Sequence, residues 1–132
     1  MEDRSWLDEY LLQKPGAVRD YKAEWGWDRY MVGGKMYAAT CRPGPEHAAA
    51  YAGHPLLSLK CDPLESELLR AQQPDILPGF YADKRCWISI RLDGTVDRSL
   101  ILRLCDASYG LVFAKLTRRA QREIMDEKVY SP

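Results

Sequence analysis

The sequence predicts an α+β domain of two layers, an antiparallel β-sheet covered on one face by helices. Three observations carry this expectation. Trp87 to Leu92 alternates with period two, placing Ile88, Ile90 and Leu92 on one face and Ser89 and Arg91 on the other. Gly33-Gly34 separates two short strand-like runs, the two-residue signal of a hairpin. Beyond Asp97, Leu100, Ile101, Leu104, Ser108, Leu111, Val112 and Leu116 recur at helical spacing, enough for a helix that covers the sheet.

Taken in order, Ser5 can cap a first helix with Glu9 nearby; Trp6, Leu7, Tyr10 and Leu11 share a face and Pro15-Gly16 stops it. Residues 17–24 alternate loosely around Val18 and Tyr21, and strands 29–32 and 35–40 flank the Gly33-Gly34 turn. The run 42–55 is rich in Pro, Gly and Ala and reads as a loop with a helical turn through His47 to Tyr51. Leu56, Leu57 and Leu59 surround Ser58 in a short, mostly buried strand that finishes near Lys60. Asp62-Pro63-Leu64-Glu65 then starts a helix over 63–72. Asp62 accepts from a free backbone N–H, Pro63 sits where its missing N–H costs nothing, and Glu65 closes a capping box. Leu64, Leu68 and Leu69 form the expected apolar stripe of this helix. Pro74 and Pro78-Gly79 end it, leaving 73–86 as a loop before the strand at 87–92 and the Asp93-Gly94 turn.

Asp97 is a good N-cap for the long helix, with Val96 and Ile101 placed as a hydrophobic staple; Gly110 within it implies close packing or a bend. Thr117 caps a last helix through Lys128 with little apolar surface beyond Ile124 and Met125. Residues 1–117 are therefore expected to form one domain and 118–132 a C-terminal helical extension.

Composition bounds the function. A chain of 132 residues suits a single core without staples. Nineteen basic and nineteen acidic side chains cancel, which removes the global electrostatic argument for a nucleic-acid or anionic-membrane partner and leaves only a local patch. Cys41, Cys61, Cys86 and Cys105 are widely spaced without a C-x-x-C, and the charged N-terminus lacks an apolar core. Reduced thiols, a cytoplasmic location and no membrane span are the expectations.

Several short motifs keep a fixed order: Leu59-Lys60-Cys61-Asp62-Pro63, Pro78-Gly79-Phe80, Lys84-Arg85-Cys86-Trp87 and Leu92-Asp93-Gly94. Pro15-Gly16, Val32-Gly33-Gly34-Lys35-Met36-Tyr37, and Ser108-Tyr109-Gly110-Leu111-Val112 followed by Ala114-Lys115-Leu116 join them. In this order and spacing, from about Trp6 to Leu116, the chain resembles the MmcQ/YjbR family of small bacterial proteins. The resemblance implies the same two-layer architecture and the "double wing" arrangement, paired hairpins proposed to contact DNA. Two positions depart from the family pattern: Asp83 stands where relatives commonly carry Asn, and Cys86 where they carry His.

The most suggestive cluster is Lys84 and Arg85 beside Tyr81 and Trp87, because cations next to aromatics can hold phosphates and stack on bases. The same residues also fit a plainer role, Trp87 anchoring the sheet while Lys84 and Arg85 are solvated or paired, and Asp83 sets a negative charge beside them. Lys60 either faces that surface or simply finishes its strand. Lys115, Arg118, Arg119 and Arg122 make a basic turn that neutralises phosphates or is a solvated helix face offset by Glu123, Asp126 and Glu127. His47 and His54 lack cysteines or carboxylates at metal spacing, and no P-loop, G-x-G-x-x-G or G-x-S-x-G occurs. The expectation is a non-catalytic binding protein without metal or cofactor. Its DNA contact is weak and salt-dependent, made by Lys60, Tyr81, Lys84, Arg85 and Trp87. The alternative is a small-molecule or protein-partner module, a homodimer included, in which Trp25, Trp27, Tyr81 and Trp87 line an apolar surface.

Overall fold

The computed structural model describes residues 4–130, and the side chains of residues 4–126. Its elements are α1 (Ser5–Leu12), β1 (Val18–Lys22), β2 (Trp27–Val32), β3 (Lys35–Cys41), β4 (Leu56–Lys60), α2 (Pro63–Gln72), β5 (Ile76–Pro78), β6 (Trp87–Arg91), α3 (Arg98–Ala114) and α4 (Arg118–Tyr130). The six strands form one sheet in the order β1-β2-β3-β4-β6-β5, every neighbouring pair antiparallel. The hairpin glycines take φ values of +57° and +80°, the left-handed conformations that a two-residue turn needs.

One face carries the main core. Tyr30, Val32, Tyr37, Leu57, Leu59, Ile88 and Ile90 from the sheet pack with Leu7 and Leu11 of α1 and with Ile101, Leu104, Cys105 and Val112 of α3. Buried polar tips are tied down: the Tyr37 hydroxyl donates to the Leu11 carbonyl at 2.7 Å and the Tyr30 hydroxyl to Asp8 at 2.7 Å. The start of α4 closes the end of this layer. A Cβ on Gly33 would come within 2.8 Å of Leu116, and one on Gly16 within 2.9 Å of Ile124, so both turns sit tightly under apolar side chains. Thr117 accepts from the Ala120 amide at 3.0 Å, capping α4 as its sequence suggests.

The other face, which an antiparallel sheet covered by helices on one side commonly leaves partly wet, is covered here. Ser58 and Ser89 at its centre are buried, 3.5 Å apart, and the Ser89 hydroxyl accepts from the Phe80 amide at 2.9 Å. Phe80 joins Trp27, Ala39 and Leu56 in a second, smaller core, with Tyr51 packed against it. Loops 42–55 and 79–86 thus cover a surface whose alternating serines suggest contact with water. Small hydroxyls that satisfy backbone groups can be buried at little cost.

Three local expectations change. Segment 73–86 is not all loop: Ile76–Pro78 pairs with β6 as an edge strand. Three residues between prolines are too few to show a period, and Pro78 is tolerated because it lies at the edge. In α2, Asp62 does cap, accepting from Leu64 and Glu65 amides at 3.2 and 3.4 Å, but the buried face is Ser66 and Leu69. Leu64 and Leu68 are 66% and 55% exposed. The carboxylate of Glu65 lies by Cys61 and Arg103. Docking on β5 and β6 set the rotation of this short helix, and two leucines could not outvote it. Finally, α1 begins with Arg4 at the cap position and Ser5 already helical, and the N-cap Asp97 of α3 makes no side-chain capping bond.

Candidate functional site

The ends of β3, β4 and α3 meet at one corner of the sheet. Lys60 closes β4 and is the direct cross-strand partner of Trp87, which opens β6. Continuing the β3–β4 register, in which Ala38 faces Leu59, Tyr37 would pair with Lys60. Instead Ser108 of α3 enters the ladder. Its hydroxyl accepts from the Lys60 amide at 2.8 Å and donates to the Tyr37 carbonyl at 2.6 Å. This insertion ties the long helix to both strands and fixes where Lys60 leaves the sheet.

Lys60 is partly buried, and burial holds its pKa below the usual lysine range. The Lys115 ammonium beside it pushes the same way, as does Lys35 at a greater remove; the Cys86 thiol opposes them. Among the described residues no carboxylate is ion-paired with Lys35, Lys60 or Lys115. The acidic groups closest in sequence are engaged elsewhere, Asp62 with the amides that open α2 and Glu65 with Arg103 at 3.8 Å. Three cations thus gather at one corner, and none of them is ion-paired with a carboxylate among the described residues.

Tyr81, Lys84 and Arg85 occupy the loop that leads into Trp87. Lys84 donates to the Gly79 carbonyl at 3.2 Å, and Asp83 accepts from the Arg85 amide at 2.9 Å with the Arg85 guanidinium 3.7 Å away. Tyr81 and Lys84 line a shallow groove of about 560 Å³ with His47 and Tyr51. A deeper cleft of about 520 Å³ is lined by Trp25, Trp27, His47, Phe80 and Tyr81; Trp87 is not part of it. The five predicted residues therefore divide between the lysine corner, the connecting loop and the rim of an aromatic cleft.

Among the described residues, no group of three or more His, Cys, Asp or Glu side chains is placed to hold a metal ion, and no helix is long and apolar enough to cross a membrane. All four cysteines are free. Burial pushes the Cys41 and Cys61 thiols up to about 11 and Cys105 up to about 12, so these are inert packing groups at neutral pH. His54 contacts Asp93 at 2.9 Å on the surface, whereas His47 packs edge-on against Phe80, so the two histidines are engaged with different partners.

The sequence model of the YjbR family matches residues 12–111, three quarters of the chain, and takes in the Lys60–Trp87 pair and Ser108. The chain belongs to the YjbR family. It is 32% identical over 105 residues to the uncharacterized protein YjbR of Escherichia coli K12, covering 80% of this chain and 82% of that protein. It is likewise 32% identical over 122 residues to the uncharacterized protein YyaQ of Bacillus subtilis 168, covering 84% and 98%. The crystal structure of the DUF419-domain protein DR2400 of Deinococcus radiodurans superposes with a TM-score of 0.75 at 28% identity, covering 94% of this chain and 88% of the other. A Pseudomonas syringae protein with a TM-score of 0.72 and 22% identity shares the fold. The α+β architecture is thus that of the YjbR family. The sequence singles out Lys60 and Lys115 separately and places Lys35 only as the first residue of strand 35–40; that the three are neighbours is set by the tertiary fold.

Proposed function

We propose that this YjbR-family chain is a non-catalytic binding protein for the phosphate backbone of DNA. The observation that carries the reading is the corner formed by Lys35, Lys60 and Lys115, where like charges gather without a carboxylate partner among the described residues. A phosphate there relieves their mutual repulsion and supplies the missing counter-charge. Trp87 lies directly across the ladder from Lys60, next to the site, and the exposed Arg85 precedes it by two residues. Lys84 and Tyr81 belong to the same loop. With a formal charge of zero, the chain has no long-range pull toward DNA, so binding is local and weak.

Fluorescence anisotropy with a labelled duplex tests this. Three phosphate contacts predict affinity falling roughly 40-fold between 50 and 200 mM salt. In Lys60→Ala/Lys115→Ala the salt slope should drop by about 2 and low-salt binding should weaken accordingly. No anisotropy change with excess protein at low salt, or an unchanged slope in the double variant, removes the reading.

A further inference from the structure

We infer that the aromatic cleft under Tyr81 is a second binding site, for a small organic ammonium ion. It stands apart from the lysine corner and uses none of its residues. Its volume of about 520 Å³ lies within the range of small-molecule pockets.

The walls favour a compact cation over a flat heterocycle. Trp25 meets Trp27 at 68°, His47 meets Phe80 at 82° and Tyr81 at 80°, and Phe80 meets Tyr81 at 77°, while Trp27 and Phe80 lie nearer parallel, at 33° with their centres 6.5 Å apart. Flat ligands are held between parallel rings, whereas rings set near right angles make a box whose electron-rich faces converge on a charge. The chain already uses this chemistry nearby: the Lys22 ammonium and the Arg29 guanidinium lie 5.4 and 5.7 Å from the Trp25 ring centre. Glu24 and Glu46 stand at the cleft, paired with Lys22 at 3.0 Å and His47 at 3.4 Å. Both glutamate side chains are largely exposed, and contacts of that kind are weak and readily exchange for a ligand charge. The one arginine of the lining, Arg42, spends a guanidinium N–H on the Gly53 carbonyl at 2.8 Å.

The cleft is also held ready. Three bonds pin the segment before Tyr81: the Tyr51 hydroxyl to the Pro78 carbonyl, the Phe80 amide to Ser89, and Lys84 to the Gly79 carbonyl. Tyr81 itself has a φ of +51°, the only positive value at a non-glycine among the described residues, and its side chain stays 75% exposed. Core packing does not account for a bulky residue in a left-handed conformation with its ring in water. A wall of a binding site does.

The test is a tryptophan-fluorescence titration with choline and with 3,3-dimethylbutan-1-ol, which has the same shape with carbon in place of the charged nitrogen. Choline should give a saturable change, and the neutral alcohol should bind about tenfold more weakly. Tyr81→Gly suits the left-handed backbone and so keeps the fold while removing one wall; it should weaken choline binding at least about fivefold, and Glu46→Gln by about two- to threefold. Equal binding of both probes, wild-type affinity in Tyr81→Gly, or no saturation up to about 50 mM choline overturns the assignment. Lys60→Ala/Lys115→Ala should bind choline as the unaltered protein does, so the fate of this site and that of the lysine corner are read separately.

Discussion

The hydroxyl of Ser108 accepts a 2.8 Å hydrogen bond from the backbone amide of Lys60 where β3 would otherwise have been its partner. The same hydroxyl returns a 2.6 Å bond to the Tyr37 carbonyl, so one side chain of α3 completes two backbone groups of the sheet. The serine is fully buried. Replacing it with Ala leaves a donor and an acceptor unmet unless the strands close on each other. Ser108→Ala should destabilise the fold by about 1–3 kcal/mol, measured by urea unfolding, and speed exchange of the Lys60 amide. Unchanged exchange at Lys60 would show that the ladder had closed without the helix.

Arg91 and Asp75 knit β6 to the loop before β5. The guanidinium donates to Asp75 at 2.8 Å and to the Ala50 and Pro74 carbonyls, while Asp75 also accepts from the Thr95 amide at 2.9 Å. The Thr95 amide, followed by Arg91, holds the Asp75 carboxyl below the usual carboxylate range. Its folded pKa therefore lies below the unfolded one. The stabilisation is complete above the unfolded value, about 3.9, and is lost as pH falls through the folded value. Asp75→Asn should cost about 1.5–3 kcal/mol at pH 7, and the gap to wild type should narrow in unfolding curves taken below about pH 4. A gap independent of pH would mean that the charge contributes nothing.

Lys115 bears on both stability and binding. Burial and the neighbouring lysines hold the Lys60 pKa down, so its charge opposes folding at neutral pH, and that opposition fades as pH rises through the lowered folded value toward the unfolded one. Lys115→Gln should raise the Lys60 pKa toward its ordinary value of about 10.4, seen in an NMR titration of the lysine side-chain carbons. Thermal stability should hold or rise while DNA binding weakens. A Lys60 titration that does not move refutes the proximity on which the anion site rests.

Gly110 was expected to mark close packing or a bend, yet α3 continues through it to Ala114 and a Cβ there meets nothing within 4 Å. Gly110→Ala should therefore stabilise the protein by up to about 1 kcal/mol, raising the midpoint of thermal unfolding. A lowered midpoint would point to an unfavourable contact that the open surface does not suggest.

Strand β6 and helix α3 were legible because each shows its period over enough residues: Ile88 and Ile90 alternate with Ser89, and Ile101, Leu104, Ser108 and Val112 keep helical spacing. The Gly33-Gly34 turn was legible because only glycine enters consecutive left-handed conformations freely. β5 was not, since three residues carry no period. The face of α2 was legible only in part: of the expected stripe Leu64, Leu68 and Leu69, Leu69 is buried, but its companion is Ser66, which hydrophobicity alone passes over.

The candidate sites divide along the same line. Local order along the chain determined the α+β class, the hairpin, the Asp62 and Thr117 caps and the family resemblance, because propensity, capping and turn chemistry act between residues close in sequence. Residue types also marked Lys60, Trp87 and Tyr81 for attention. That Lys35, Lys60 and Lys115 share a corner, that Trp87 faces Lys60 while Tyr81 joins Trp25 and Trp27, and that two serines lie dry beneath Phe80 were decided by the sheet order and by α3 crossing it. Those neighbours are brought together by burial of apolar surface on both faces of the sheet, a non-directional force that depends on the whole chain and leaves no mark in any short stretch of it.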